Sequence, residues 1–222
     1  MIIFFDLDDT LMDHSRAVRG AAIALHADLR VGGTNEEFVG AWREAQRRHY
    51  PRFLTGELSY ETVRRLRVRE TVSAELGDDE ADELFAEYMR IYQSQWMLFP
   101  DVLPCLDRLR DSGFAVGVIS NGPSVEQRAK LRALVIEGRF QHILISEECG
   151  FAKPDRQIFQ RACETAGVPP QDVVHVGDHY EVDVCGSRNA GLRAIWLNRL
   201  GCQRGPTDDE VIESLSELPA IL

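Results

Sequence analysis

The segment IIFFDLDDTLMD, residues 2–13, constrains this chain more than any other. Its apolar start reads as a short strand over 2–7, buried on both faces and therefore inside a parallel sheet covered by helices. Asp6, Asp8, Asp9 and Asp13 crowd the end of that strand. Carboxylates delivered to the rim of a sheet allow three readings: a solvated turn, a metal cage, or a phosphoryl-accepting site. Each needs different partners elsewhere in the chain.

Hydrophobic periodicity says where those partners lie. After the first strand the spacing is helical through residue 96. Val18, Ala21, Ala22, Leu25 and Leu29 share one helix face, which ends at Gly32-Gly33. Thr34–Glu37 is a capping box that opens a helix carrying Phe38, Trp42 and Ala45. A third helix begins near Ser59, and a fourth carries Leu84, Phe85, Tyr88, Ile91, Tyr92 and Trp96. From Phe99-Pro100 onward helix and strand alternate. Strands at 114–120, 142–146, 173–178 and 193–198 are separated by helices near 101–111, 124–134, 155–166 and 182–190. Ser124–Gln127 reads as a second capping box, and Thr207–Glu210 as a third that opens a final helix. Such alternation predicts an α/β fold, a Rossmann-like parallel sheet flanked by helices. The expected layout is a discontinuous core, residues 1–14 and 97–222, interrupted after the first strand by an all-helical domain, 15–96.

Ligands of such sheets bind at the carboxyl ends of the strands. Here those ends are Asp6–Asp8, Ser120–Asn121, Ser146–Gly150 and Gly177–Asp178. Carboxylates gathered at Asp6, Asp8, Asp178 and Asp183 repel one another unless a hard cation sits among them, and oxygen donors of this kind suit Mg²⁺. Aspartates also cap helices, which accounts for Asp9, Asp13 and Asp172. Acidic groups at two separate strand ends are harder to dismiss. Among 25 basic residues only Lys130 and Lys153 are lysines. Lys153 stands just past a strand, where a compact ammonium suits a point-charge role beside phosphate and carboxylate. Lys130 reads as an ordinary surface lysine. Ser120-Asn121-Gly122 leads into a helix and offers a hydroxyl and free N–H groups to an anion.

Taken together, DLDDT (6–10), VISNG (118–122), Lys153-Pro154 and GDHYEVD (177–183) resemble the motif set of the haloacid dehalogenase-like hydrolase superfamily. The four occur in order, on the expected elements, and the likeness spans the chain, including a helical cap after the first strand. The resemblance implies an Mg²⁺-dependent phosphatase acting on small phosphate monoesters. Asp6 would be the nucleophile that becomes an aspartyl phosphate, and Asp8 the acid and base. Thr10 would brace the loop. Ser120, the Asn121 backbone and Lys153 would hold the phosphoryl group. Asp6, Asp8 and Asp178 would serve the metal, with Asp183 in support.

Rival readings differ in chemistry. A dehalogenase of the same superfamily displaces halide from carbon and requires no proton donor, so Asp8 argues against it. A phosphomutase relative carries Gly where this chain has Asp9. A phospho-receiver signalling module clusters carboxylates similarly but takes phosphate on a mid-sheet Asp, and neither FAVGVIS nor HILIS ends in one. No G-x-G-x-x-G follows a strand and no G-x-x-x-x-G-K-[ST] occurs, which excludes a nucleotide-binding oxidoreductase of the usual kinds.

Net charge is -11, so general affinity for nucleic-acid backbone is not expected. The exception is residues 41–70, with eight arginines against four glutamates and no aspartate. Arg43, Arg47, Arg64 and Arg67 there are candidates for attracting anionic substrates. Trp42 reads as core, and His14 as either a substrate contact or a loop residue. Cys105, Cys149, Cys163, Cys185 and Cys202 form no C-x-x-C pair, a pattern of reduced thiols that fits the cytoplasm. No stretch approaches the roughly 20 apolar residues of a membrane-spanning helix, and no signal peptide is recognised. Oligomeric state is not written in the sequence.

Overall fold

Ile2–Phe5 (β1) hydrogen-bonds on both sides and is fully buried, as its unbroken apolar run requires. It is the centre of a six-stranded parallel sheet in the computed structural model, which describes residues 1–29, 31–199 and 210–222. The other strands are Ala115–Ser120 (β2), His142–Ile145 (β3), Val173–Gly177 (β4), Arg193–Leu197 (β5) and Glu210–Ile212 (β6). Their order is β3-β2-β1-β4-β5-β6, every pair parallel. The order reverses beside β1, and a doubly wound sheet opens its ligand crevice at such a reversal.

The chain divides into two compact units: Met1–Asp13 with Met97–Leu222, and His14–Trp96. The second is all helix: His14–Leu29 (α1), Asn35–Leu54 (α2), Tyr60–Thr71 (α3) and Asp78–Ser94 (α4). Thr34 caps α2 in the reciprocal box expected of it, and Ser59 caps α3. Trp42 is the centre of this unit's core, packed against Phe38, Phe85 and Tyr88. Arg67 belongs to that core and not to a solvated face. Its Nε donates to Trp42 O at 3.0 Å, and its guanidinium lies 4.4 Å from the Trp42 ring centroid. Arg47 pairs with Glu44, Arg52 with Glu57, and Arg65 with Glu61, Asp78 and Asp82, so much of the basic segment is neutralised locally.

In the sheet unit the helices are Val102–Asp111 (α5), Ser124–Ala133 (α6), Ser146–Cys149 (α7), Arg156–Ala166 (α8), Gly186–Asn189 (α9) and Leu218–Ile221 (α10). A π-helical turn, Tyr180–Cys185, leads into α9. Two expected caps are corrected. Pro123 is the N-cap of α6, so Ser124 is already inside the helix and forms no box with Gln127. Where Thr207–Glu210 was expected to open a helix, Glu210 instead begins β6; Thr207, like Cys202, lies outside the described residues. The β-branched pair Val211-Ile212 favours the strand, with Ile212 buried and its carbonyl accepting from Asn198 N at 2.8 Å. Cys105, Cys149, Cys163 and Cys185 are free thiols. No helix among the described residues is long and apolar enough to cross a membrane.

Asp101 ties the segment after β5 to the acidic loop. It accepts from Arg199 Nη1 at 2.8 Å and Nη2 at 3.0 Å, and from Ser214 Oγ and Leu215 N, each at 2.8 Å. Arg199 also donates to Thr10 O at 2.8 Å and stacks 3.9 Å from the Phe99 centroid. Burial pushes the Asp101 carboxyl up, but these hydrogen bonds and the Arg199 charge outweigh it and hold it below its ordinary value. A carboxyl lowered on folding stabilises above its unfolded pKa of about 3.9 and loses that contribution as pH falls. Asp101→Asn should therefore cost about 1–3 kcal/mol of unfolding free energy at neutral pH. Denaturant melts at descending pH should show the gap to wild type closing below pH about 4.

Candidate active site

The acidic run divides after β1. Asp6 N donates to Val176 O, so Asp6 continues the sheet and its side chain stands at the reversal point. The chain then turns sharply, with Leu11 and Met12 N–H groups both donating to Leu7 O. Asp9 takes φ +61°, a left-handed position that Asp tolerates better than most residues. Asp9 is thus the turn residue of the run.

Three carboxylates converge: Asp6, Asp178 and Asp183 each place a ligand atom within 4.8 Å of the other two. Lys153 Nζ bridges two of them, 2.6 Å from Asp6 Oδ1 and 2.6 Å from Asp183 Oδ1. Lys153 is only 3% exposed and Asp6 7%. Lys153 is aimed through its backbone. Asn121 Nδ2 donates to Lys153 O and Lys153 N donates to Asn121 Oδ1, both at 2.8 Å. Asp183 is fixed in turn by His179 N and by His175 Nε2, each at 3.1 Å, and His175 is the donor against a carboxylate. Trp196 Nε1 donates to Asp178 O at 2.9 Å, and Thr10 Oγ1 reaches Asp178 Oδ1 at a long 3.4 Å.

Charge is unbalanced here. Two carboxylates 4.8 Å apart repel by roughly 3–4 kcal/mol at an effective dielectric of 20, and one ammonium cannot offset three of them. Burial, against the Lys153 charge and with Asp183 adding repulsion, pushes Asp6 up to about 7. Burial and the neighbouring Asp6 and Asp183 push Asp178 up to about 9. Asp183 is the exception. Burial raises it, but the Lys153 charge and the His175 hydrogen bond prevail, and it stays below its usual range. Burial alone would lower Lys153; its two carboxylate partners raise it instead, so it remains an ammonium. An all-oxygen set short of about two positive charges fits a hard divalent cation.

Asp8, expected among the metal ligands, has its carboxylate elsewhere. Lys130 Nζ donates to both of its oxygens, at 3.0 and 2.9 Å, and Gln127 Nε2 donates to Oδ2 at 3.1 Å. The same Nε2 lies 2.6 Å from Ser120 Oγ and 2.9 Å from Asn121 O, so its two protons are shared among three acceptors. Accepting there leaves the Ser120 hydroxyl its one proton to donate elsewhere. Gly122 N is directed to Ser146 Oγ at 2.9 Å. Lys130, read from sequence as a surface lysine, is 1% exposed. Gln127, Lys130 and His175 were all missed; the scarcity of lysine was the one sequence signal available for Lys130.

Gly177 is what lets Asp183 lie against β4. A Cβ there would fall 2.6 Å from Asp183 Oδ2 and closer still to its Cβ and Cγ. Gly177→Ala should therefore displace Asp183 and cost about 1–3 kcal/mol, lowering Tm by about 3–10 °C in a thermal melt.

The family model described as haloacid dehalogenase-like hydrolase matches residues 1–191. A glyceraldehyde 3-phosphate phosphatase of Methanothermobacter thermautotrophicus is 33% identical, over 99% of this chain and 98% of that one. A putative HAD-hydrolase of Bacillus subtilis, YfnB, bound to magnesium, superposes with a TM-score of 0.85 at 25% identity, covering 100% of this chain and 97% of that one. A 2-haloacid dehalogenase from Pseudomonas syringae pv. Tomato DC3000 superposes with a TM-score of 0.70 at 32% identity, covering 100% and 98%. With its six parallel strands and the acidic rim at their reversal, the chain belongs to the haloacid dehalogenase-like hydrolase family.

Proposed function

We propose that this hydrolase is an Mg²⁺-dependent phosphatase of small-molecule phosphate monoesters that works through an aspartyl phosphate on Asp6. The observation that carries the reading is the Asp6 carboxylate, buried at the sheet reversal, touching the Lys153 ammonium and facing two further carboxylates. Asp6 and Asp178 would hold the ion. Asp183, whose oxygens already accept from Lys153, His175 and His179, would support them. Bound there, Mg²⁺ would supply the positive charge that lets an anionic nucleophile meet an anionic phosphate.

The residues divide the work. An Asp6 oxygen forms a bond to phosphorus while the bond from phosphorus to the ester oxygen breaks, and that oxygen leaves as an alcohol with a proton from Asp8. Water then attacks the same phosphorus and gives its proton to Asp8. The Asp6–phosphorus bond breaks, phosphate departs, and both carboxyl groups return to their starting states. Ser120, donating its hydroxyl proton, and the Asn121 backbone would orient the phosphoryl oxygens, while Lys153 neutralises them. Thr10, between Arg199 on its carbonyl and Asp178 near its hydroxyl, would keep the loop in place. The helical unit, His14–Trp96, is read as a cap that chooses the ester.

A dehalogenase is the reading to test against, because one of the similar structures carries that name. Asp8 favours phosphate, since a departing halide needs no proton whereas an alkoxide does. Phosphate release from an aryl phosphate should require Mg²⁺ and stop with a chelator, with no halide released from 2-haloacids. Chelator-insensitive turnover or halide release would overturn the assignment. Asp6→Asn should abolish turnover and the trapping of a phosphoryl-mimicking metal fluoride while leaving the melting curve cooperative. Substantial residual turnover in that variant would move the nucleophile elsewhere.

A further inference from the structure

The Asp8 carboxylate is held, and the group holding it has a second partner. Lys130, on α6, contacts both Asp8 oxygens and also lies 3.2 Å from Glu126 Oε1. A buried ammonium that loses its only counter-ion is penalised by several kcal/mol. Glu126 lies one helical turn before Lys130 on the same helix, so its place beside the ammonium does not depend on the loop that carries Asp8. The same helix carries Gln127, whose amide bridges Asp8 Oδ2 and Ser120 Oγ. One face of α6 thus connects the proposed acid–base group to the proposed phosphate-binding hydroxyl.

We propose that Lys130 is a positioning residue for Asp8: it docks the Asp8 carboxylate beside Ser120 and, with Glu126 as its standing counter-ion, lets it leave at little electrostatic cost, so that the carboxylate takes up a proton from water and, as a carboxyl, gives it to the leaving oxygen. This rests on the reading of Asp8 as acid and base. Gln127 adds the link to the phosphate site, because the amide that helps hold Asp8 also orients the Ser120 hydroxyl whose proton faces the phosphoryl group. Lys130 contacts no atom of the substrate in this scheme. Its effect passes through Asp8, which gives it a kinetic signature that a packing role lacks.

That signature is the dependence on leaving group. An alkyl phosphate needs a proton on its departing oxygen, whereas a nitrophenyl phosphate hardly does. The measurement is kcat/KM, which covers the steps up to the first phosphoryl transfer, on glycerol phosphate and on p-nitrophenyl phosphate, with Mg²⁺ present. Asp8→Asn should lower the alkyl value by about 10²–10⁴-fold and the aryl value far less. Lys130→Met should tilt the same way, losing at least about tenfold more on the alkyl ester than on the aryl one. Introduced into Asp8→Asn, it should cost less than about threefold further, because the residue it acts through is already disabled. Equal losses on both esters, or losses that multiply with Asp8→Asn, would make Lys130 a structural support and overturn the proposal while leaving Asp8 its role. If Asp8→Asn itself shows no tilt, the acid–base reading falls, and the Lys130 proposal with it. Should Lys130→Met fail to give a cooperative melt, Glu126→Gln carries the test, since it removes the standing counter-ion and leaves Lys130 and Asp8 in place. A smaller tilt in the same direction supports the proposal, and no tilt overturns it.

Discussion

A buried ammonium bridging two buried carboxylates is the interaction around which this site is built. Lys153 sits between Asp6 and Asp183, and each member would be costly to bury alone, with several kcal/mol lost when one partner of such a set is removed. The neighbouring structure reads as the set of restraints that this arrangement demands. Asn121 clasps the backbone of Lys153 on both sides of its Cα, so the stem starts from a fixed point. His175, buried within β4, and the His179 N–H fix Asp183, and Gly177 leaves it room. The sheet supplies the rest, since Asp6 is still hydrogen-bonded to β4 when its side chain reaches the rim.

The acidic run at the start of the chain looks uniform and is not. Asp6 joins a cluster whose charge exceeds what Lys153 can offset, and its carboxyl is pushed up, by burial first and by the Asp183 charge after it. Asp8, two residues on, meets a different ammonium and an amide. Asp9 spends its character on a left-handed turn. Two lysines, one per carboxylate, separate the proposed nucleophile from the proposed acid–base group within a single loop. That division makes chemical sense of a sequence that otherwise writes positive charge as arginine: a compact ammonium contacts two carboxylates from different elements, where a planar guanidinium would impose its own fork.

Much of this was legible beforehand, and the failures have specific causes. The alternation of period and the polar stops at the strand ends were enough for the parallel sheet and for gathering Asp6, Asp178 and Asp183 at one rim, and the scarcity of lysine pointed to Lys153. Thr34–Glu37 and Ser124–Gln127 fit the same capping pattern, yet only the first forms a box. Pro123 takes the cap position of α6, and Gln127 faces inward to Ser120 and Asp8. A local pattern reports the helix start but not which face is buried, and that face decides Gln127 and Lys130 alike. His175 gave no signal, because a histidine inside an apolar strand looks the same whether or not a carboxylate waits beside it. Glu210–Ile212 was lost to edge pairing with β5, a contact that no window of sequence contains.

The arginine-rich segment shows the same limit from the opposite side. Counted along the chain it is a positive patch; folded, it is largely a set of closed pairs. Asp78 and Asp82, on α4 and outside the counted window, engage Arg65, and Asp78 also engages Arg69. Arg67 is spent on Trp42 and Tyr88. Arg48 reaches Glu44 and Glu70, and Glu70 is shared with His49. An exposed pair projects little field beyond a Debye length of about 8 Å at physiological salt. Long-range steering is therefore a weaker role for this unit than its composition implied. If it selects the ester, shape and a few directed contacts have to do so more than net charge.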